Sequence, residues 1–227
     1  MLKQNKKAFT LAEILITLAI MGTLMALTIP SLIKETGKNA YVAGLKKTYG
    51  MLDSATNQIM TDNAGTMIRF GDSTQIRLTK YCNILECNKT CYQGHIVDQG
   101  CFHSQSSVKM LNNQNYDVDT TDYNDGAMVL ADGTLVYINW TGYSTCNFTD
   151  GGVTYCTNIY VDVNGFKGPN IVGKDIFEFW ITANGLVPYG QTGTYADDTI
   201  YCNPNSTNAK DGYGCAAKVL NKQAMDY

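Results

Sequence analysis

Residues 9–33 read FTLAEILITLAIMGTLMALTIPSLI, in which Glu13 is the only charged side chain. The part from residue 14 to residue 33 is long enough to cross a hydrocarbon layer of about 30 Å as a helix rising about 1.5 Å per residue. The preceding residues are polar and basic, with Lys3, Lys6 and Lys7. Lysines on that side favour a cytoplasmic start, so the bulk of the chain is predicted to lie outside the cytoplasm.

Two ordinary interpretations of this segment explain it incompletely. A secretory signal peptide needs small residues one and three positions before its cleavage site. A cut after Ala26 would place Leu24 at the third position, and the apolar run continues beyond it. A plain signal anchor accounts for the length of the run but not for Glu13.

The position of Glu13 is informative because a carboxylate in a membrane segment costs about 2.5–3.5 kcal/mol even on insertion scales, and usually has a partner. A cut before Phe9 would create an α-ammonium group four residues before Glu13. Helices packed side by side with an axial offset would then pair the carboxylate of one copy with the amine of the next. This pairing would also fix the register between the helices.

The segment Lys7-Ala8-Phe9-Thr10-Leu11-Ala12-Glu13 resembles the prepilin cleavage motif of type IV pilins and type II secretion pseudopilins. The resemblance implies that a membrane aspartyl peptidase cuts between Ala8 and Phe9 and methylates the new amine. It also implies that Glu13, at the fifth mature position, guides assembly. Pro30 lies where this family commonly kinks or locally melts its helix on assembly, since proline removes a backbone donor and clashes with the preceding turn. Ala8 instead of glycine, and Ala12 instead of a larger aliphatic residue, are the departures.

This resemblance implies a structural subunit of a pilus or pseudopilus, drawn from the membrane by an ATP-driven machine. The implied partners are copies of the chain and related pilins in a helical filament, the prepilin peptidase, the inner-membrane assembly machinery and, before assembly, membrane lipid. The precursor would be a single-pass inner-membrane protein that later joins a periplasmic or extracellular filament. Two alternatives stay open, namely a minor or tip subunit that acts as an adhesive or substrate-binding module, and an uncleaved membrane-tethered ectodomain.

Charge and motifs argue against two other classes of function. The net charge is -3, and removal of residues 1–8 leaves 14 basic and 20 acidic residues, a net charge of -6. A nucleic-acid scaffold normally shows a basic stripe, so no nucleic-acid partner is predicted. The sequence has only two histidines, no Gly-x-Ser-x-Gly and no phosphate-binding glycine loop, so no enzyme is predicted.

The helical pattern continues beyond the apolar run. Val42, Leu45, Tyr49, Leu52 and Ile59 form an amphipathic stripe, and Asn63-Ala64-Gly65 is a termination signal. The predicted fold class is therefore α+β, a long N-terminal helix packed on a C-terminal antiparallel sheet, pilin-like and stapled by disulfides. The predicted segments are a cleaved leader (1–8), a transmembrane and polymerisation helix (9–33), its amphipathic half (34–62) and a β-rich head (63–227).

Residues 66–200 are interpreted as strands separated by turns. The runs 128–130 and 134–138 flank Ala131-Asp132-Gly133, and 176–182 meets 186–187 across Ala183-Asn184-Gly185, which predicts two hairpins. The run 159–163 is a further strand that stops at Asn164-Gly165. A short final helix is expected around Cys215–Lys222.

All eight cysteines lie after residue 80, in the part predicted to face an oxidising compartment. Eight cysteines allow 105 pairings. Cys146 and Cys156 are equidistant from Gly151, so they could face each other across a hairpin. Cys202 and Cys215 bracket a polar loop, and pilins often staple a C-terminal loop in this way. The remaining cysteines would then pair among themselves: Cys82, Cys87, Cys91 and Cys101.

The competing interpretation makes those four cysteines a zinc site, with His95 and His103 nearby. Their spacing lacks the paired C-x₂-C knuckles of a zinc ribbon, so disulfides are favoured. The two histidines are expected to be surface or loop residues rather than ligands.

A calcium site is a further prediction. Asp162 and Asn164 precede a glycine turn, and Asp175 follows, so their oxygens could bind the ion. Major pseudopilins of type II systems have a calcium site in their C-terminal sheet region, which the resemblance extends to this segment. The alternative is that Asn-Gly and Gly-Pro are simply turn residues.

Overall fold

The computed structural model describes residues 10–116, 118–122, 124–139, 145–150 and 152–227. They fall into two compact units, one that ends at Asn39 and one formed by Ala40–Tyr227.

The first element is helix α1, Leu11–Asp62, which continues through Pro30. Its end follows from the backbone of the next residues. Ala64 and Gly65 have φ angles of 58° and 81°, in the left-handed region, and the Gly65 N–H donates a 2.8 Å hydrogen bond to the Met60 carbonyl. This left-handed exit is how helices commonly terminate. The predicted helix and its end at Asn63-Ala64-Gly65 are therefore confirmed.

Within the second unit, the amphipathic stripe of α1 faces the hydrophobic core. Leu45 and Leu52 are completely buried, and Tyr49 stacks on Phe179 with ring centroids 5.7 Å apart. The residues at helical spacing along this face are buried in one cluster with the sheet: Val42, Leu45, Leu52, Ala55 and Ile59. Burial of this face, rather than intrinsic propensity, is what stabilises such a helix.

The sheet has six strands, and every neighbouring pair is antiparallel. The strands lie in the order β1-β2-β3-β6-β7-β8. Strands that follow each other in the chain are therefore neighbours, except that β3 pairs with β6, because the two strands between them form a separate small hairpin. This arrangement confirms the α+β class and both predicted hairpins. The bounds are β1 Cys87–Tyr92, β2 Gly126–Leu130, β3 Leu135–Ile138, β6 Thr157–Asp162, β7 Ile176–Thr182 and β8 Gly185–Pro188.

Both faces of the sheet are covered, which explains why β3 and β7 are buried along their whole length. Side chains alternate between the faces of a strand. In β7, Phe177, Phe179 and Ile181 lie in the cluster that contains α1. Ile176 and Trp180 lie in a second cluster on the opposite face.

In the described residues, the remaining elements are a hairpin, three short α-helices and a 3₁₀ turn. Strands β4 (Phe148–Asp150) and β5 (Val153–Tyr155) form a separate two-stranded sheet. Helix α4, Cys215–Lys222, is the predicted final helix. Helix α3 is Asp198–Tyr201, and a 3₁₀ turn covers Gln105–Ser107.

The interpretation of residues 66–200 as strands and turns was wrong at helix α2, Thr74–Cys82. Its start is fixed by Ser73, whose side chain accepts a hydrogen bond from the Ile76 N–H. Leu78 and Tyr81, three residues apart, turn into the core beside α1. The helix has three buried residues, and because one of them is Arg77, only Leu78 and Tyr81 could show a helical period of apolar residues in the sequence.

Candidate functional site

The first turn of α1 holds Glu13 in a reciprocal hydrogen-bonded arrangement with Thr10. The Thr10 N–H and hydroxyl donate to Glu13 Oε2 at 2.8 and 3.0 Å. The Glu13 N–H donates in return to Thr10 Oγ1 at 3.2 Å. This is a capping box, which satisfies two otherwise unpaired donors at a helix start. Glu13 therefore has a partner within its own chain.

The helix around Glu13 presents apolar side chains outward. Leu11 is 79% exposed, and large aliphatic residues as far as Ile33 are also exposed. The hydroxyls of Thr17 and Thr23 donate to the carbonyls of Ile14 and Ile20, both at 2.9 Å. Such bonds let hydroxyls lie in an apolar surrounding without losing their partners. Among the described residues, α1 is the only helix that is long and apolar enough to cross a membrane.

Two sites predicted from the sequence concern processing and assembly. Ala8 and Phe9, the predicted cleavage residues, lie outside the described residues, as does the leader 1–8. Pro30 lies within an uninterrupted helix.

Four disulfides join all eight cysteines, and no free cysteine is found. Cys146 pairs with Cys156 and flanks the β4–β5 hairpin, while Cys202 pairs with Cys215 at the start of α4. The first four cysteines pair among themselves, Cys82 with Cys87 and Cys91 with Cys101. The zinc interpretation is therefore not what the structure adopts, because a sulfur atom in a disulfide is no longer a thiolate and does not bind zinc in this way.

The segment predicted to bind calcium is a loop with two carboxylates at its ends. Asp162 and Asp175 are both completely buried. Asp162 Oδ1 accepts the Asn164 N–H at 3.0 Å, and Oδ2 lies 2.9 Å from His103 Nε2. The oxygens of Asp175 accept the N–H groups of Ile171 and Asn170 at 2.7 and 2.9 Å. These bonds brace the loop from both ends.

The electrostatics of this loop are unfavourable to two negative charges. Burial raises the pKa of Asp175 to about 6, and the charge of Asp162 acts in the same direction, whereas the N–H group of Ile171 opposes the shift. Burial also raises the pKa of Asp162, although the hydrogen bond from His103 lowers it. The side-chain oxygens of Asn164 and Asn170 are buried and accept no hydrogen bond from the described residues. The loop thus gathers two buried carboxylates and two buried amide oxygens, with His103 in contact with one of the carboxylates.

In the described part of the chain, no group of three or more His, Cys, Asp or Glu side chains is arranged to hold a metal ion. A calcium ion in the loop would therefore depend on amide and main-chain oxygens in addition to the two carboxylates.

Three contributors to these sites were missed by sequence reasoning. Thr10 could have been found, because Thr-x-x-Glu before an apolar run is the sequence signature of a capping box. His103 was expected at the surface or in a loop. It does lie in a loop, but it is 6% exposed and bonded to Asp162, a contact that the sequence did not predict. Asn170 gave no local signal, because its burial depends on the packing of the whole loop.

Residues 3–29 match the family model described as the prokaryotic N-terminal methylation motif. This motif is the signature of type IV pilin and pseudopilin precursors, a family that is structural rather than catalytic. No curated protein and no solved structure matches the chain.

Proposed function

We propose that this chain is a subunit of a type IV pilus-like or type II secretion pseudopilus filament, made as a single-pass inner-membrane precursor. The observation that carries the proposal is the methylation motif at residues 3–29, placed at the start of an apolar helix. Cleavage between Ala8 and Phe9, followed by N-methylation of Phe9, would convert the precursor into the form that assembles. Its partners would be the prepilin peptidase, the assembly machinery, copies of itself and related pilins.

In the assembled filament, Glu13 would pair with the Phe9 amine of an adjoining copy. The alternative for both charged groups is an apolar surrounding, where an unpaired charge is expensive. A correct axial offset would bring them together, whereas any other offset would leave the amine without a carboxylate and Glu13 with its Thr10 hydrogen bonds but no opposite charge. The same pairing that drives docking would therefore set the register of the filament.

The three leader lysines and the disulfides support the same orientation. Lys3, Lys6 and Lys7 favour a cytoplasmic leader. The disulfides favour an oxidising compartment for the head, residues 63–227. The head would thus lie outside the cytoplasm before and after assembly.

The test compares Glu13→Gln with Glu13→Ala in the full-length protein, in cells that contain the assembly machine. Glutamine keeps a capping box but carries no charge. Loss of one member of a buried charge pair costs about 2–5 kcal/mol, so both variants should lower filament yield at least about tenfold. Both should still be cleaved before Phe9, as measured by mass analysis of the mature N-terminus.

Two results would contradict the proposal. Wild-type filament yield from Glu13→Gln would mean that Glu13 serves only as a helix cap. A wild-type protein isolated from cells with its initiator methionine still present would not have been cleaved, so it would lack the Phe9 amine with which Glu13 is proposed to pair. Labelling of the head along the filament, or only at its tip, then separates a repeating subunit from the alternative, a minor or tip subunit that acts as an adhesive or substrate-binding module.

We also propose that the Asp162–Asp175 loop binds a structural calcium ion. The two buried carboxylates repel each other, and the buried oxygens of Asn164 and Asn170 would be further neutral ligands. Calcium is bound by such mixtures of carboxylate and carbonyl oxygens. An ion at this position would offset the burial and, to a lesser extent, the repulsion from Asp162 that raise the pKa of Asp175.

Thermal unfolding in calcium and in chelator tests the calcium proposal. At a calcium concentration of about 100 times Kd, the ion adds about 2.7 kcal/mol, which corresponds to roughly 5–10 °C for a unit of this size. Magnesium at the same concentration should have a smaller effect, and Asn164→Ala should reduce the calcium shift. An identical midpoint in calcium and chelator would remove the site.

A further inference from the structure

The sequence contains four Asn-x-Ser/Thr triplets, the pattern that N-linked glycosylation requires in proteins outside the cytoplasm. They begin at Asn88, Asn139, Asn147 and Asn205. The bacterial enzymes that transfer oligosaccharides to such triplets commonly require, in addition, an acidic residue two positions before the asparagine. Glu86 meets this condition for the first triplet. The corresponding residues of the other three triplets are uncharged: Tyr137, Thr145 and Asn203.

The first triplet is also accessible in the folded head. The side chains of Glu86, Asn88 and Thr90, which a transferase would contact, are all exposed. Asn147 and Asn205 are exposed as well, but they lack the acidic residue. Exposure and the preceding acid therefore coincide at Asn88.

Asn88 lies at a bulge in the outermost strand of the six-stranded sheet. Strand β1 is at the end of the strand order, and its register with β2 shifts between Cys87 and Lys89. Asn88 is thus the extra residue, which a bulge leaves without a partner in the ladder. Its side-chain amide donates to the carbonyl oxygens of Leu130 and Ala131 at 3.5 Å in each case, the outer limit of a hydrogen bond. The amide nitrogen is therefore only weakly bound to the sheet.

We propose that Asn88 is the acceptor of an N-linked oligosaccharide, transferred outside the cytoplasm from a polyprenyl diphosphate carrier. In this reaction Asn88 Nδ2 forms a bond to the anomeric carbon of the first sugar, and the bond from that carbon to the diphosphate oxygen breaks. The lipid diphosphate leaves with the electron pair of that bond, and the nitrogen loses one proton. Glu86 and Thr90 are the residues that the transferase recognises on either side of Asn88.

An oligosaccharide at Asn88 would cover the outer edge of β1. In the described part of the chain, this strand pairs with another strand on one side only. Such an edge presents N–H and C=O groups that can pair with another chain, and proteins commonly protect it. A bulky hydrophilic group at the bulge would prevent edge-to-edge pairing between heads. The inference goes beyond the proposed filament function and shares with it only the position of the head outside the cytoplasm.

Mass spectrometry of the full chain, purified from the bacterium that makes it, tests the inference. After reduction of the disulfides and proteolysis, the peptide that contains Asn88 should carry the added mass of an oligosaccharide, and fragmentation should place this mass on Asn88. The peptides that contain Asn147 and Asn205 should carry no such mass. An unmodified Asn88 peptide would overturn the inference.

Substitutions then test the residues that the transferase recognises. Asn88→Gln removes the acceptor, Thr90→Ala removes the hydroxyl, and Glu86→Gln removes only the negative charge. Each of these variants should lose the added mass, whereas the matched control Asn205→Gln should keep it. Because Glu86 is exposed, Glu86→Gln should fold like the parent protein, which circular dichroism checks. Retention of the added mass in Thr90→Ala or in Glu86→Gln would overturn the assignment.

The two proposals fail in different ways. A chain that carries the oligosaccharide at Asn88 but never enters a filament would refute only the filament function. Filaments built from unmodified subunits would refute only the glycosylation.

Discussion

Removal of the disulfide between Cys202 and Cys215 should measurably destabilise the head without changing its fold. The two cysteines are 1% and 0% exposed, and their bond closes a loop with a sequence separation of 13. The Lys218 ammonium, on α4, also donates to the Cys202 carbonyl at 3.2 Å. The matched perturbation is the double variant Cys202→Ala with Cys215→Ala, which leaves no unpaired thiol.

The magnitude follows from the length of the closed loop. In the chain-entropy model, a loop of about 14 residues reduces the entropy of the unfolded chain by roughly 10 cal/mol/K, or about 3 kcal/mol at 25 °C. For a unit of this size, 1 kcal/mol corresponds to about 2–4 °C in Tm. The double variant should therefore melt about 6–12 °C below the parent protein, with the missing sulfur atoms adding a smaller packing loss.

Differential scanning calorimetry of the full-length protein in detergent gives the midpoint, and circular dichroism checks that the native fold persists. Asn205→Ala is the control, because Asn205 is exposed in the same loop and its replacement leaves the ring closed. A surface change of this kind should alter the free energy of unfolding by less than about 0.5 kcal/mol. A double variant that melts with the parent protein would refute the loop-closure reasoning.

Two further predictions concern the core and a buried acid. Leu52→Ala, at a completely buried position of α1, should lower the free energy of unfolding by about 2–5 kcal/mol in urea titrations, whereas exposed Gln58→Ala should leave it nearly unchanged. Burial raises the pKa of Asp211, although the N–H of Asn203 opposes the shift, so the folded protein holds this proton more tightly than the unfolded chain. The contribution of Asp211 to stability is thus present below its unfolded pKa and lost as pH rises through its folded pKa. The stability of the parent protein minus that of Asp211→Asn should accordingly decrease from about pH 4 upward, and a pH-independent difference would contradict the assignment.

Much of the fold was predictable because its signals are local. The stripe that contains Leu45 and Leu52 has the period of a helix, and Ala64-Gly65 ends it through left-handed backbone angles. The turn Ala131-Asp132-Gly133 joins β2 to β3, as the two runs that flank it predict. Helix α2 was not predictable in this way, because its nine residues show too little of a helical period.

In the candidate sites too, residues with a local sequence signal could be predicted, whereas contacts between residues far apart in the chain could not. Glu13 was identified because a single charge in an apolar run is conspicuous in any sequence. The contact between Asp162 and His103 joins residues 59 apart, and no local pattern predicts such a pair. The capping box of Glu13 lies between these two cases. The Thr-x-x-Glu pattern is visible in the sequence, but the hydrogen bonds from Thr10 to Glu13 Oε2 were identified only in the structure.

The sequence by itself determined the apolar helix, its lone acid and the methylation motif, because hydrophobic length, charge and cleavage motif are properties of consecutive residues. It also determined the main turns, which depend on a few neighbouring residues. Only the tertiary structure decided how the first four cysteines pair, which histidine is buried, and that both carboxylates of the Asp162–Asp175 loop are buried. Those outcomes depend on distances between residues remote in the chain, and such distances are set when the sheet packs against α1.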